Sequence, residues 1–278
     1  MRFAIESVDV VVLAGGMNTI PLFEGWRPGY KALLPLDGKP LLQYTLDAVT
    51  AVQQIRGVCI VGSQASLQPA VTRAGGGPPA FAPAGATLLD SIVNGLGHFA
   101  DSQHVLVVTA DLPLLTARAV REFLAACAHI ETAYAENVFL ALVPERCYTG
   151  PFTRVPKRFN RFRDIAVCHG NVALVTPRIL RNTKAVARIN HIYAARKSPI
   201  LAALAVGGSV ALSYIVGVHI LHVLTLRHIA RLASRRFGVG LIPVILERPE
   251  VTIDVDEAAD YAFVTEYFKT RGRSEGSA

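Results

Sequence analysis

Apolar positions along the chain fall into short continuous runs closed off by glycine, proline or polar clusters, the pattern of strands buried on both faces. The runs are Val8 to Ala14, 57–62 (GVCIVG), 104–109 (HVLVVT), 137–144 (NVFLALVP) and 241–247 (LIPVILE). Between them lie stretches with helical spacing: Pro40 to Gln54, Thr87 to about Phe99 with Thr87 as cap, a helix opening at Thr116, and a closing helix from Ala258 to Lys269. Residues 74–86, AGGGPPAFAPAGA, carry too much Gly and Pro for a helix and predict a loop with a short extended piece at Ala80 to Pro83. Strand and helix alternate, which predicts an α/β fold: a doubly wound, mostly parallel, Rossmann-like sheet with right-handed crossovers.

The pattern changes after Pro144. Residues 145–199 read as irregular and basic, with RVPKRFNRFRD at 154–164 and CHGNVALVTP at 168–177. Residues 200–226 then run for twenty-seven positions without Asp, Glu, Lys or Arg, long enough for a membrane-spanning helix. A single crossing there would put Asp254 and Asp256 across the membrane from Asp111, with which they are expected to share a site. Two crossings would need about forty residues. The stretch is therefore read as two apolar helices broken at Gly207-Gly208 or Gly217, packed on the sheet or lying in a membrane interface, with 200–236 as the contact. One domain, 1–269, is expected, with 145–240 as a basic, partly helical insertion and 270–278 as a disordered tail.

Composition sharpens this picture in three places. The chain has 278 residues, 51% hydrophobic with a mean hydropathy of +0.37, enough for one large core around a buried sheet. Of its 28 Lys and Arg, sixteen lie between Arg146 and Leu246 with a single acid, Asp164, so the basic charge is local. That asymmetry fits a polyanionic partner or a solvated basic face. No nucleic-acid module accompanies it, so no nucleic-acid partner is expected. The four cysteines form no CxxC pair, which argues against a disulfide framework or zinc site and fits a reducing cytoplasm. MRFAIESVDVVVLAGG lacks an apolar h-region and cleavage site, so no signal peptide is expected. His219, His222 and His228 lack a nearby carboxylate or cysteine and are read as core or flanking residues.

The candidate chemistry begins at Gly15-Gly16. Glycines directly after a strand let the backbone approach a phosphate chain, and their successive N–H groups form an anion-binding concavity. Lys31, after a loop of roughly fourteen residues, is placed to neutralise the same phosphates. Asp111 follows the 104–109 strand, and ligands of open α/β sheets collect at the carboxyl ends of strands, so Asp111 and the glycines converge. Alternation along Asp254-Val255-Asp256 turns both aspartates to one side, although either also suits a helix cap. Oxygen ligands of this kind suit Mg²⁺.

Four segments carry a family resemblance: LAGG (13–16), YKALLPLDGKPLLQYTLDAV (30–49), VVTADLPLLT (107–116) and TIDVDEAADY (252–261). Together they resemble the signature of the nucleotidyltransferase superfamily that includes molybdenum-cofactor guanylyltransferases and sugar-phosphate nucleotidyltransferases. The resemblance implies the nucleotide-diphospho-sugar transferase type of sheet. It also implies that Leu13, Ala14, Gly15, Gly16 and Lys31 wrap a triphosphate, that base and ribose are read near Gly85, and that Asp111 with Asp256, or Asp254, holds Mg²⁺. Asn171 in HGNVALV matches the family's GGN strand, which contacts the acceptor. Arg158, Arg161 and Arg163, interleaved with Phe159 and Phe162, are candidates for an acceptor phosphate.

The activity so implied is Mg²⁺-dependent transfer of an NMP from an NTP to a phosphorylated small molecule, with release of pyrophosphate. An acceptor phosphate is already ionised at neutral pH, so no general base is required. One departure stands out: Ile20 occupies the place where the family carries an arginine. It keeps open a non-catalytic nucleotide-binding protein. A glycosyltransferase of the related fold, using a nucleotide-sugar, is the third reading, and the lysine-bearing KALLPLDGKPLL block counts against it.

Overall fold

The computed structural model describes residues 5–71, 77–183, 186–187 and 224–275, with side chains through Thr270. Strand β1 (Val8–Leu13) turns Val8, Val10 and Val12 to one face and Val11 to the other, so both faces must be covered. Two small hairpins follow, β2 (Met17–Asn18) with β3 (Gly29–Tyr30) and β4 (Pro35–Leu36) with β5 (Lys39–Pro40). The second turns at Asp37-Gly38, both with positive φ, a backbone state that a two-residue hairpin demands.

Next come α1 (Leu41–Thr50), β6 (Ile55–Val61), α2 (Gln64–Leu67), β7 (Ala80–Ala82), α3 (Leu88–His98), β8 (Val105–Thr109) and α4 (Ala117–Ala128). Helix α3 starts on a reciprocal capping box: Thr87 Oγ1 accepts from the Asp90 amide and Asp90 returns a bond to the Thr87 amide. Thr116 caps α4 through the Ala119 amide. The remainder is β9 (Asn137–Pro144), β10 (Asn160–Arg161), β11 (Ala166–Val175), α5 (Leu226–Phe237), β12 (Gly240–Ile245) and α6 (Ala258–Glu275).

The main sheet runs β12-β9-β11-β8-β1-β6-β7, with β10 paired to β11. Its pairings along that order are parallel except where β11 lies antiparallel between β8 and β9. The expected doubly wound, mostly parallel sheet is what forms. From β1 the chain first builds outward through β6 and β7, then returns to lay β8 along the other edge of β1. That reversal opens a crevice beyond the carboxyl ends of β1 and β8.

Helices α1 and α4 cover one face with Leu42, Leu46, Val49, Val120, Phe123 and Leu124. Helices α3 and α5 contribute Leu96 and Phe237 to the other. A third cluster packs Val264 and Tyr261 of α6 against Leu34, Leu36 and Leu41, so the closing helix clamps the segment around Lys31. Phe23 stacks on Tyr261 at 4.8 Å, and the Tyr261 hydroxyl donates to the Pro35 carbonyl.

Differences from the expected elements are local. Helix α1 opens at Leu41 because Lys39-Pro40 is spent on β5, and α6 runs past Lys269 through the start of the expected tail. Within residues 145–240, β11 lies inside the main sheet. The two apolar helices expected at 200–226, with their breaks at Gly207-Gly208 or Gly217 and with His219 and His222, fall almost wholly outside the described residues. His228 is exposed in the first turn of α5. Among the described residues no helix is long and apolar enough to cross a membrane.

Gly95 sets how closely α3 approaches the sheet: a Cβ there would lie 2.5 Å from Val11 Cγ1 and 2.8 Å from Val61 Cγ2. Gly95→Ala gains up to ~1 kcal/mol of helix propensity. It loses about 1–3 kcal/mol to overpacking against stiff valines. The expected outcome is a net loss of stability, read as a lower urea midpoint at unchanged slope.

Candidate active site

The crevice is built from the ends of neighbouring strands. Ala14 donates to the Val61 carbonyl and Ala110 donates to the Leu13 carbonyl, so the backbone at Leu13 and Ala14 is still committed to the sheet. Gly15 then leaves it under a tight contact, for a Cβ there would sit 2.6 Å from the Ala84 Cβ. No hydrogen bond to protein engages the amides of Gly15 and Gly16 among the described residues. The Gly16 carbonyl accepts from the Lys31 amide at 2.9 Å, and Met17 and Asn18 pair with Tyr30 and Gly29. This hairpin brings Lys31, fifteen positions on in sequence, back beside the glycines.

On the other side of β1, Asp111 follows β8. As a residue it is half-buried, yet its Oδ1 is sealed from solvent without a hydrogen-bond partner. Burial pushes its pKa up to about 6, helped by the charges of Asp254 and Asp256 and opposed by the neighbouring Thr109 hydroxyl and by Lys31. The 254–256 segment docks here because the Val255 amide donates to the Asp111 carbonyl at 3.2 Å while Ile253 and Val255 are buried. The aspartates on either side of Val255 turn toward cations. Asp256 is ion-paired with Lys31, and Asp254 with Lys157 at 2.8 Å. Burial works against the Lys31 charge, but the bond to Asp256 and the fields of Asp111 and Asp254 outweigh it and hold its pKa above the usual lysine value. Neither Asp254 nor Asp256 caps α6 with its side chain in this arrangement. Asp260 accepts from the Asp256 and Glu257 amides instead.

The other expected site residues are spread around this centre. Asn171 sits in β11 one position before Val172, which pairs with Val108, and so lies beside the carboxyl end of β8. Gly85 packs against the start of α3, where a Cβ would meet Asp90 at 2.2 Å, and its amide donates to Ser91 Oγ. It lies three residues past the end of β7, which two sheet strands, β1 and β6, separate from β8. Arg161 is spent on a two-pronged pair with Glu145, at 2.7 and 2.9 Å, while Arg158 and Arg163 are exposed. Lys157 was not singled out by the sequence pattern: in RVPKRFNRFRD it is one cation among five.

The donor set bears on a divalent cation. Among the described residues, no group of three or more His, Cys, Asp or Glu is arranged to hold a metal, since Asp254 and Asp256 are each drawn to a lysine. Asp111 is the exception, for among the described residues its buried Oδ1 accepts no hydrogen bond. Mg²⁺ needs only one or two protein carboxylates when phosphate and water supply the rest, so Asp111 with one neighbouring aspartate fits it. A cavity of about 710 Å³ lies elsewhere, between α5 and β12, and includes none of these residues.

A glycine turn, an adjacent lysine and an acidic strand end meet at the switch point of this sheet, an arrangement that suits a nucleotidyltransferase. The chain belongs to the MobA-like NTP transferase domain family, whose profile matches residues 10–202. A hypothetical transferase from Thermus thermophilus is 29% identical, with a TM-score of 0.74 over 92% of this chain and 99% of that one. Two more distant structures share the fold: a nucleotidyl transferase from Methanothermobacter (16% identity, TM-score 0.55, 95% and 99% covered) and 2-C-methyl-D-erythritol 4-phosphate cytidylyltransferase, also from Thermus thermophilus (17%, 0.52, 95% and 99%). No curated protein matches the chain.

The buried Asp111 charge has a stability signature. Its folded pKa, about 6, lies above the ordinary 3.8, so its contribution to stability is complete below about pH 4 and is lost as pH rises through about 6. In a chelating buffer, Asp111→Asn is expected to raise Tm by a few degrees near neutral pH and by nothing near pH 4. Thermal melts at the two pH values check this; an equal gain at both would mean that ionisation is not the source.

Proposed function

We propose that this protein transfers an NMP from an NTP to a phosphorylated small molecule and releases pyrophosphate, with Mg²⁺ as the resident cation. The single observation that carries the reading is the convergence of free Gly15-Gly16 amides, Lys31 and the unpartnered Asp111 oxygen on one crevice. Family membership supports the reaction class. The glycine amides receive the triphosphate, and Lys31 neutralises charge gathering on its oxygens. Asp111, with Asp256 or Asp254, would hold Mg²⁺, which when bound supplies charge stabilisation and alignment of the phosphates.

An oxygen of the acceptor phosphate forms the new bond to the α-phosphorus, and the bond to the bridging oxygen breaks, its electron pair leaving with pyrophosphate. No proton moves in that exchange. The base and ribose extend toward Gly85, and the acceptor lies on the β11 side, where Asn171 and the basic 145–240 segment supply polar and cationic groups. Four free cysteines, three of them buried, support a reducing cytoplasm as the setting.

The test is pyrophosphate release from each NTP in turn with Mg²⁺ and pooled phosphorylated metabolites. Release is expected with one preferred NTP, only when acceptor is present, and lowered about 10²-fold or more by Asp111→Ala. NTP binding without release across a broad acceptor panel would favour a binding-only protein.

A further inference from the structure

Lys157 is the second cation of the crevice, and its setting differs from that of the neighbouring arginines. Its side chain is only 15% exposed, against 62% for Arg161, which Glu145 already holds. The partner of Lys157, Asp254, is one residue from Val255, whose amide binds the Asp111 carbonyl. Lys157 also sits near enough to Cys168 for its charge to act on that thiol, although burial dominates there and raises the thiol pKa. Cys168 pairs with Val143, next to the carboxyl end of β9, so the ammonium lies on the ligand-binding rim of the sheet.

The order β1-β8-β11 then divides the crevice. Lys31 and Asp256 stand with the glycine loop of β1, Asp111 stands at the end of β8, and Lys157 and Asp254 stand on the β11 side. Three carboxylates and two ammonium groups leave this centre one charge negative when all are ionised. A largely buried lysine paired with a carboxylate that Lys31 also attracts is free to exchange it for a phosphate oxygen. Its compact ammonium suits that role as a point charge.

We propose that Lys157 binds the acceptor's phosphate, held ready by Asp254, so that the two Lys–Asp pairs serve the acceptor and the nucleotide respectively. The proposal rests on the nucleotidyltransferase reading and assigns Asp254 to positioning Lys157, leaving Asp256 as the companion of Asp111. On arrival of the acceptor, Lys157 turns part of its hydrogen bonding from Asp254 to the incoming phosphate and fixes the attacking oxygen beside the α-phosphorus.

Two measurements on wild type, Lys157→Gln, Lys157→Arg and the double variant Lys157→Gln/Asp254→Asn test this. The first follows pyrophosphate release against the concentration of the pooled acceptors and, separately, of NTP. Lys157→Gln is expected to raise the half-saturating acceptor concentration tenfold or more while leaving that of NTP within twofold, and Lys157→Arg to keep part of the affinity. The second is calorimetric titration of inorganic phosphate into protein loaded with Mg²⁺ and a non-hydrolysable NTP analogue. Lys157→Gln is expected to abolish the phosphate heat.

The double variant separates chemistry from architecture, because it removes the stranded Asp254 charge. It is expected to recover the Tm lost in Lys157→Gln without recovering acceptor or phosphate affinity. Recovery of both would make the pair a structural strut and overturn the proposal, as would a parallel rise in the NTP requirement. If the wild type releases no pyrophosphate, the reaction reading fails, and the phosphate titration still decides the role of Lys157. Equal phosphate binding, or equal absence of it, in wild type and Lys157→Gln overturns the proposal.

Discussion

The ion pair between Lys31 and Asp256 joins residues 225 positions apart and ties the glycine loop to the closing segment of the sheet's rim. It is half-exposed, so its own contribution to stability is small. What gives it a fixed place is the apolar clamp beneath it. Leu34, Leu36 and Leu41 pack against Val264 of α6, and Tyr44 donates to the Leu36 carbonyl while its ring meets Phe268 edge-on at 5.1 Å. The hydrophobic effect holds the two segments together, and electrostatics then decides how the groups at their edge face one another.

That edge concentrates like charge. Asp111 follows a strand end beside the core residues Leu112, Leu114 and Leu115, and among the described residues its buried Oδ1 has no hydrogen-bond partner. Two further aspartates lie within its field, each moderated by a lysine. Such an arrangement raises the pKa of the most buried carboxylate and favours arrival of a cation accompanied by anionic groups. Instability of the bare charge set and attraction for a cation are two aspects of one electrostatic condition.

The strands and their order of appearance were legible because buried parallel strands write themselves as short apolar runs between turn residues, and β9 matches its run end to end. Asp111 was legible for the same reason, as the polar residue just beyond such a run. The small hairpins were not, although Asp37-Gly38 is a strong turn signal, because two-residue flanks cannot show alternation. Nor was the antiparallel course of β11, since a strand's direction depends on the path of the residues before it. Lys157 was hidden for a different reason. Its distinction from Arg158 and Arg161 lies in burial and in a partner 97 positions away, and neither leaves a trace in local spacing.

The clamp by α6 also has a consequence during synthesis. Tyr261 reaches the Pro35 carbonyl from 226 positions further along, so the ribosome must add more than two hundred residues after the glycine loop before that loop meets its support. At bacterial or eukaryotic elongation rates of about 5–20 residues per second, the nascent chain spends on the order of ten seconds or more with β1 made and its lysine unanchored. Completion of the crevice thus belongs to the final stage of maturation, after the closing helix has emerged.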